Sequence, residues 1–300
     1  MGFRCVFEKT LIDLTAWKSA LLIVPLVTIF MVGGVSMACS EGQSSLQMRT
    51  YFTTSQLLLV AYFALSGFLT SMLISCSAAG FVAKEENDGT LLILTSKPIR
   101  RRDVLFGKLA ALLARTALLE AILLILLAVG TCLVLDLDET AMVSFLRAVL
   151  WLLCYSFLTM CLFATVTTAL STLTRNLVAI MAVMSIMVMA CFIVGPLIRS
   201  VMPTDGGFYM RYDLYYVDPS YHLQNAFVPF WAQASGGEII PQFSGWFGFR
   251  YIVTQPDGLY LDPVRTCGYF HPLASFAVLL SISALALLVA CVAFERKDVH

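Results

Sequence analysis

The chain has 300 residues, of which 59% are hydrophobic and only 13% charged. A soluble domain carries nearer a quarter charged residues, so this chain cannot clothe itself for water and lipid must cover much of it. Its 19 basic and 19 acidic residues cancel to a formal net charge of zero, which excludes the basic footprint of a nucleic-acid binder.

Residues 1–18 are amphipathic. Phe3, Val6, Phe7, Leu11 and Leu14 recur at helical spacing, with Arg4, Glu8, Lys9 and Asp13 mainly between them. That pattern suits a helix lying in the membrane interface; a solvated extension of the first span is the other reading. The scattered charges are foreign to a cleavable signal peptide.

A hydrocarbon core about 30 Å thick needs roughly 20 apolar residues as helix. Six segments reach that length: 19–39, 56–80, 109–135, 148–173, 177–198 and 273–294. Basic residues in short loops report orientation. With the N-terminus cytoplasmic, the inner segments hold thirteen: Arg4, Lys9, Lys18, Lys84, Lys97, Arg100, Arg101, Arg102, Lys108, Arg115, Arg175, Arg296 and Lys297. The two short outer loops hold only Arg49 and Arg147. Both termini are therefore expected in the cytoplasm, in a multi-pass protein of the cell membrane. No internal repeat is visible, so a second copy of the chain or a paired chain is expected to supply any symmetry.

The inner connection, 81–108, is patterned. Glu85, Glu86 and Asp88 cluster at its start, and Lys97, Arg100, Arg101 and Arg102 at its end. Acids near a helix N-terminus and bases near its C-terminus suit the helix dipole, and Pro98 stops a helix. The expectation is a short helix over 85–96 that presents Leu91, Leu92 and Leu94, with Asp103 capping the next span. An apolar patch beside acids fits a groove on a partner protein; a basic loop whose leucines touch the bilayer surface is the bland alternative.

Glu85-x-x-x-Gly89-Thr90-Leu91, followed by Ser96-Lys97-Pro98-Ile99, Arg101 and Gly107-Lys108, resembles the signature of ABC-2 type transporter permeases. The subgroup it is most similar to contains the permease that serves nitrous-oxide reductase maturation. The closing Phe294-Glu295-Arg296-Lys297-Asp298 fits as well. The resemblance implies a single all-α transmembrane domain over 1–300. It would have six transmembrane helices, an N-terminal interfacial connecting helix (1–18), a cytoplasmic coupling segment (81–108) and a long extracytoplasmic loop or lid (199–272) before the last helix. It also implies that Glu85, Glu86, Gly89, Thr90, Leu91, Leu92, Leu94, Pro98, Arg101 and Lys108 form the coupling interface with a separate ATPase, present in two copies, and that the chain is a transport subunit, an exporter by expectation, rather than an enzyme.

A P-loop needs Gly-x-x-x-x-Gly-Lys-Ser/Thr to cradle phosphates. The Gly107-Lys108 pair is followed by Leu109, and Arg102 stands where the first glycine is required. ATP and Mg are thus expected on the partner, with no cofactor held here.

Arg115 and Glu120 fall inside the third span. An ionised group at that depth costs roughly 2.5–3.5 kcal/mol or more, so it is paired or faces a cavity. Arg115 is near enough to the surface to snorkel. For Glu120 a structural contact and a substrate or coupling role both stand. Met181, Met184, Met187 and Met189 do not share a helical face, which disfavours a soft-metal path, and Gly195-Pro196 is expected to kink or end the fifth span. Ser156, Thr159, Thr165, Thr167, Thr168, Ser171 and Thr172 make the fourth span hydroxyl-rich, which favours close helix packing.

In 199–272, Tyr221 to Trp231 reads as a short helix in the interface and 247–262 as a hairpin turning at Gln255–Gly258. His222 and His271 lack the partners of a catalytic site. Cys39 and Cys267 both fall on the outer side, where a disulfide is open to them. A secondary transporter or channel, not driven by ATP, is the alternative function; it would place buried charges in several spans, and only the third has them.

Overall fold

The computed structural model describes residues 2–14, 27–36, 46–89, 100–137, 139–201, 212, 214–235 and 270–296. Among them the regular structure is helical throughout. Helix α1 spans Gly2–Leu14 and α2 spans Val27–Ser36. Helix α3 runs Leu46–Val60, widens into a π-helix over Ala61–Leu69 and returns to α geometry over Thr70–Ala79. A short α4, Ala83–Asn87, follows. Then come α5, Arg101–Leu135, and α6, Glu139–Leu173. Helix α7 comprises Leu177–Met189, a π stretch Ala190–Val194 and Gly195–Val201. Helix α8 is Pro219–Ser235 and α9 is Pro272–Arg296.

Among the described residues, five stretches are long and apolar enough to cross a membrane: Thr50–Asn87, Arg101–Leu135, Ala141–Leu173, Leu177–Ile198 and Pro272–Arg296. They correspond to the second through sixth expected spans. The first expected span, 19–39, is described only over the shorter apolar α2. At 1.5 Å per residue the 35-residue α5 and α6 are each about 50 Å long, so their polar ends stand beyond a hydrocarbon core.

Helix α6 is the centre of the bundle, packed by α3, α5, α8 and α9. Its hydroxyls explain how. Thr167 and Thr168 return their protons to the carbonyls of Phe163 and Ala164, one turn back, so they carry no unmet polar demand and neighbouring helices approach closely. The outward sides of α7 and α9 expose Val178, Ile186, Leu280, Leu285 and Leu288, as lipid-facing surfaces require.

Several expectations are corrected. The fourth apolar stretch starts at Ala141 rather than 148, in a helix that begins at Glu139 and buries Ala141 and Phe145 in its first two turns. Gly195-Pro196 does not end α7: the π stretch directly before it accommodates the ring, whose clash falls on the carbonyl four residues back. Asp103 is not the cap of α5. Arg100, in extended backbone, occupies that position, and Asp103 lies in the first turn, where a carboxylate still complements the dipole. Helix α8 exists as expected but does not lie on the surface. Leu223, Gln224, Asn225, Ala226, Phe227 and Trp231 are all at most 1% exposed, so α8 is inserted among the spans. The 247–262 hairpin, Cys39 and Cys267 fall outside the described residues.

Candidate functional site

One end of the bundle collects the basic segments. The first turns of α5 receive α1, since Val6 and the Phe3 carbonyl press on Gly107; a Cβ there would meet them at 3.1 and 3.2 Å. The same turns hold the last turn of α9. Arg101 Nη1 donates to the carbonyls of Phe294 and Glu295 at 3.2 and 3.1 Å, and Arg102 forms a two-pronged pair with the Glu295 carboxylate. The connection between α6 and α7, around Arg175, joins them through α4. Arg4, Lys84, Arg100, Arg101, Arg102, Lys108 and Arg175 therefore share one end, as the loop-charge count requires.

The exit of α3 is the best-defined part. The chain breaks at Gly80–Val82, and a break of this kind strands backbone groups that the next turn no longer serves. Each finds a side chain from another helix. Ser171 of α6 donates to the Ala79 carbonyl at 2.8 Å and accepts from the N–H groups of Val82 and Ala83, both at 3.1 Å. That saturates one hydroxyl. Lys108 of α5 donates to the Phe81 carbonyl at 2.7 Å, stands 5.8 Å over the Phe81 ring and pairs with Glu85. Lys108 is only 7% exposed. Glu86 pairs with Arg175 at 2.5 Å, and Asn87 Nδ2 donates to the Arg175 carbonyl at 3.1 Å.

The start of the segment differs from the sequence expectation. Glu85 and Glu86 do not open a helix over 85–96; they lie in α4, which ends at Asn87. Gly89 then takes φ +69°, a left-handed conformation that ends helices and suits glycine. Glu85 and Lys108, both expected in the coupling interface, form an ion pair with each other. Arg101 faces the end of α9. Thr90, Leu91, Leu92, Leu94 and Pro98 lie outside the described residues.

A second polar cluster sits halfway along the spans. Glu120 of α5, 1% exposed, accepts on Oε1 from Ser66 of α3 at 2.5 Å and from Ser156 of α6 at 2.6 Å. Thr70 is one turn from Ser66 and also buried. Arg115 does not join it: it is half-buried, with no ion pair among the described residues. Sequence reasoning singled out Glu120 and the hydroxyls of α6 but not their junction, nor Ser66. Beside the cluster lies an aromatic core. Phe227 of α8 stacks on Tyr62 with centroids 4.3 Å apart and meets Tyr155 at 4.8 Å. The Tyr155 hydroxyl donates to the Leu223 carbonyl at 3.0 Å, and Ser220 Oγ donates to the Cys191 carbonyl at 2.6 Å.

The long apolar helices, with charged connections gathered at one end, mark a multi-pass membrane protein. The family model of ABC-2 family transporter proteins matches residues 6–299, and the chain belongs to that family. No curated protein matches it. Family membership makes the chain the membrane component of a transporter, not an enzyme.

Proposed function

We propose that the chain is the permease subunit of an ATP-driven ABC exporter, and that 81–108 is the segment through which a separate ATPase acts. Two permease chains, each docked to one ATPase, would form the path along their shared interface. Both termini and the 81–108 segment would face the cytoplasm of a cell membrane. We assign it to the subgroup of permeases exemplified by the one serving nitrous-oxide reductase maturation.

The anchoring of 81–108 carries this reading. The segment leaves α3 at a break pinned by Ser171 and Lys108 and returns at α5, whose first turn grips α9. A push on its middle is therefore delivered to most of the bundle, as a coupling element requires. To bias the bundle by two orders of magnitude, ATP must favour one state by about 3 kcal/mol.

Purification of the full chain from its native membrane tests it. An ABC ATPase should accompany the chain, and vanadate-sensitive ATP hydrolysis in proteoliposomes should depend on both subunits. A cysteine replacing Lys84 should react with an impermeant maleimide only from the cytoplasmic side. Labelling from the outside, or hydrolysis indifferent to the permease, defeats the assignment.

A further inference from the structure

Adjacent acids at the end of a helix point in different directions, because successive residues are about 100° apart around the axis. Here each has a base on a different part of the bundle. Glu85 pairs with Lys108, fixed on α5; Glu86 pairs with Arg175, in the α6–α7 connection. Each link is doubled by a bond that involves backbone: Lys108 to the Phe81 carbonyl, and Asn87 to the Arg175 carbonyl. The four side chains differ in exposure in the way a divided linkage demands. Lys108 and Glu85 are 9% and 28% exposed, and Glu86 is 12% exposed, while Arg175 is 68% exposed and able to yield.

We propose that Glu85 and Glu86 are positioning residues that serve the chain's own spans rather than the ATPase surface, dividing movement of the 81–108 segment between α5, through Lys108, and the α6–α7 hairpin, through Arg175. The proposal rests on the coupling reading above and specifies its internal mechanics. The Lys108 link is rigid, since its ammonium is buried and twice bonded, and carries α5 with α4. The Arg175 link is looser and solvated, so the α6–α7 hairpin follows with more play.

The test is a set of variants in the purified permease–ATPase complex. A charge swap suits Glu86 and Arg175 only, because a carboxylate at 108 would face the Phe81 carbonyl. Glu86→Arg and Arg175→Glu should each lower kcat for ATP about 5-fold with KM unchanged, since the nucleotide site is on the partner. The double exchange should recover at least half of the loss. Lys108→Gln should lower kcat about 10-fold, and adding Glu85→Gln should cost nothing further, as two members of one linkage are non-additive. Lys108→Arg should keep most activity. Recovery of ATPase with each variant checks assembly, and thermal unfolding of the permease checks folding. If the double exchange is no better than its worse single, or Glu85→Gln and Lys108→Gln act independently, the internal linkage is wrong although coupling stands. If wild-type hydrolysis does not depend on the permease, the coupling reading fails and takes this inference with it.

Discussion

Ser66 of α3 and Ser156 of α6 donate to the same oxygen of Glu120, from two different helices, at 2.5 and 2.6 Å. Three helices are thus tied at one buried carboxyl, near the midpoint of each. Glu120→Gln keeps a carbonyl acceptor of the same size and should cost no more than about 1 kcal/mol. Glu120→Leu removes the acceptor from both hydroxyls and should cost about 2 kcal/mol, held down because a serine in a helix also finds its own backbone. Thermal unfolding in a fixed detergent measures the difference, and equal loss in the two variants would contradict the shared-acceptor arrangement.

The π-helix of α3 meets the π stretch of α7 where Phe192 packs on Gly67 and edge-on against Tyr62, ring centroids 6.0 Å apart. A Cβ on Gly67 would stand 2.5 Å from the Phe192 ring and 2.7 Å from the Tyr62 carbonyl. Neither is free to retreat, because Phe192 and Tyr62 are both buried and Tyr62 is stacked on Phe227. Gly67→Ala should therefore destabilise by about 1–3 kcal/mol, the usual range for overpacking. Combining it with Phe192→Leu should cost less than the two changes summed, because they share one contact. Additive losses by thermal unfolding would mean that Gly67 and Phe192 do not touch.

Salt separates the two kinds of ion pair at the charged end. Arg102 and Glu295 are 63% and 39% exposed, so their attraction is screened, and Glu295→Ala should lower stability only slightly, and less still at high ionic strength. Lys108 is buried. Lys108→Ala strands the Phe81 carbonyl and the Glu85 carboxylate, and should cost about 3 kcal/mol almost independently of salt. Unfolding measured in low and high sodium chloride distinguishes them; a salt-sensitive Lys108→Ala loss would place that pair in water.

Hydrophobic run length located the long helices because roughly 20 apolar residues have no other use in one stretch. It could not locate π geometry: nothing in Ala61–Leu69 or Ala190–Val194 distinguishes it from ordinary apolar helix, since the extra residue per turn is set by tertiary contacts such as Gly67 on Phe192. The aromatic residues of α8 misled for a related reason. Tyr and Trp are expected at the membrane boundary, but Tyr221, Phe227 and Trp231 are equally suited to a packed core, and Ser220, His222, Gln224 and Asn225 on the same helix are the hint that its polar groups must be met inside. At the charged end, the acids and bases of 81–108 were legible as a patterned segment. Their partners were not, because Arg175 and Ser171 are remote in sequence, and because the Asp88-Gly89 stop was outweighed by an acidic-to-basic gradient that looked like one helix.

The seating of α8 gives the last prediction. Two hydrogen bonds to backbone carbonyls, from Tyr155 to Leu223 and from Ser220 to Cys191, fix its depth, and Phe227 fills the space between Tyr62 and Tyr155. Tyr155→Phe loses one bond and leaves the Leu223 carbonyl without that donor, for about 1 kcal/mol. Phe227→Ala opens a cavity in a rigid aromatic core and should cost about 3–5 kcal/mol. The two should also differ in reach. A cysteine at Ala226, fully buried in the folded bundle, should stay unreactive toward a water-soluble maleimide in the Tyr155→Phe background and become reactive when Phe227→Ala lets α8 move outward. Reactivity at 226 in the otherwise unaltered chain would show that α8 lies on the surface after all.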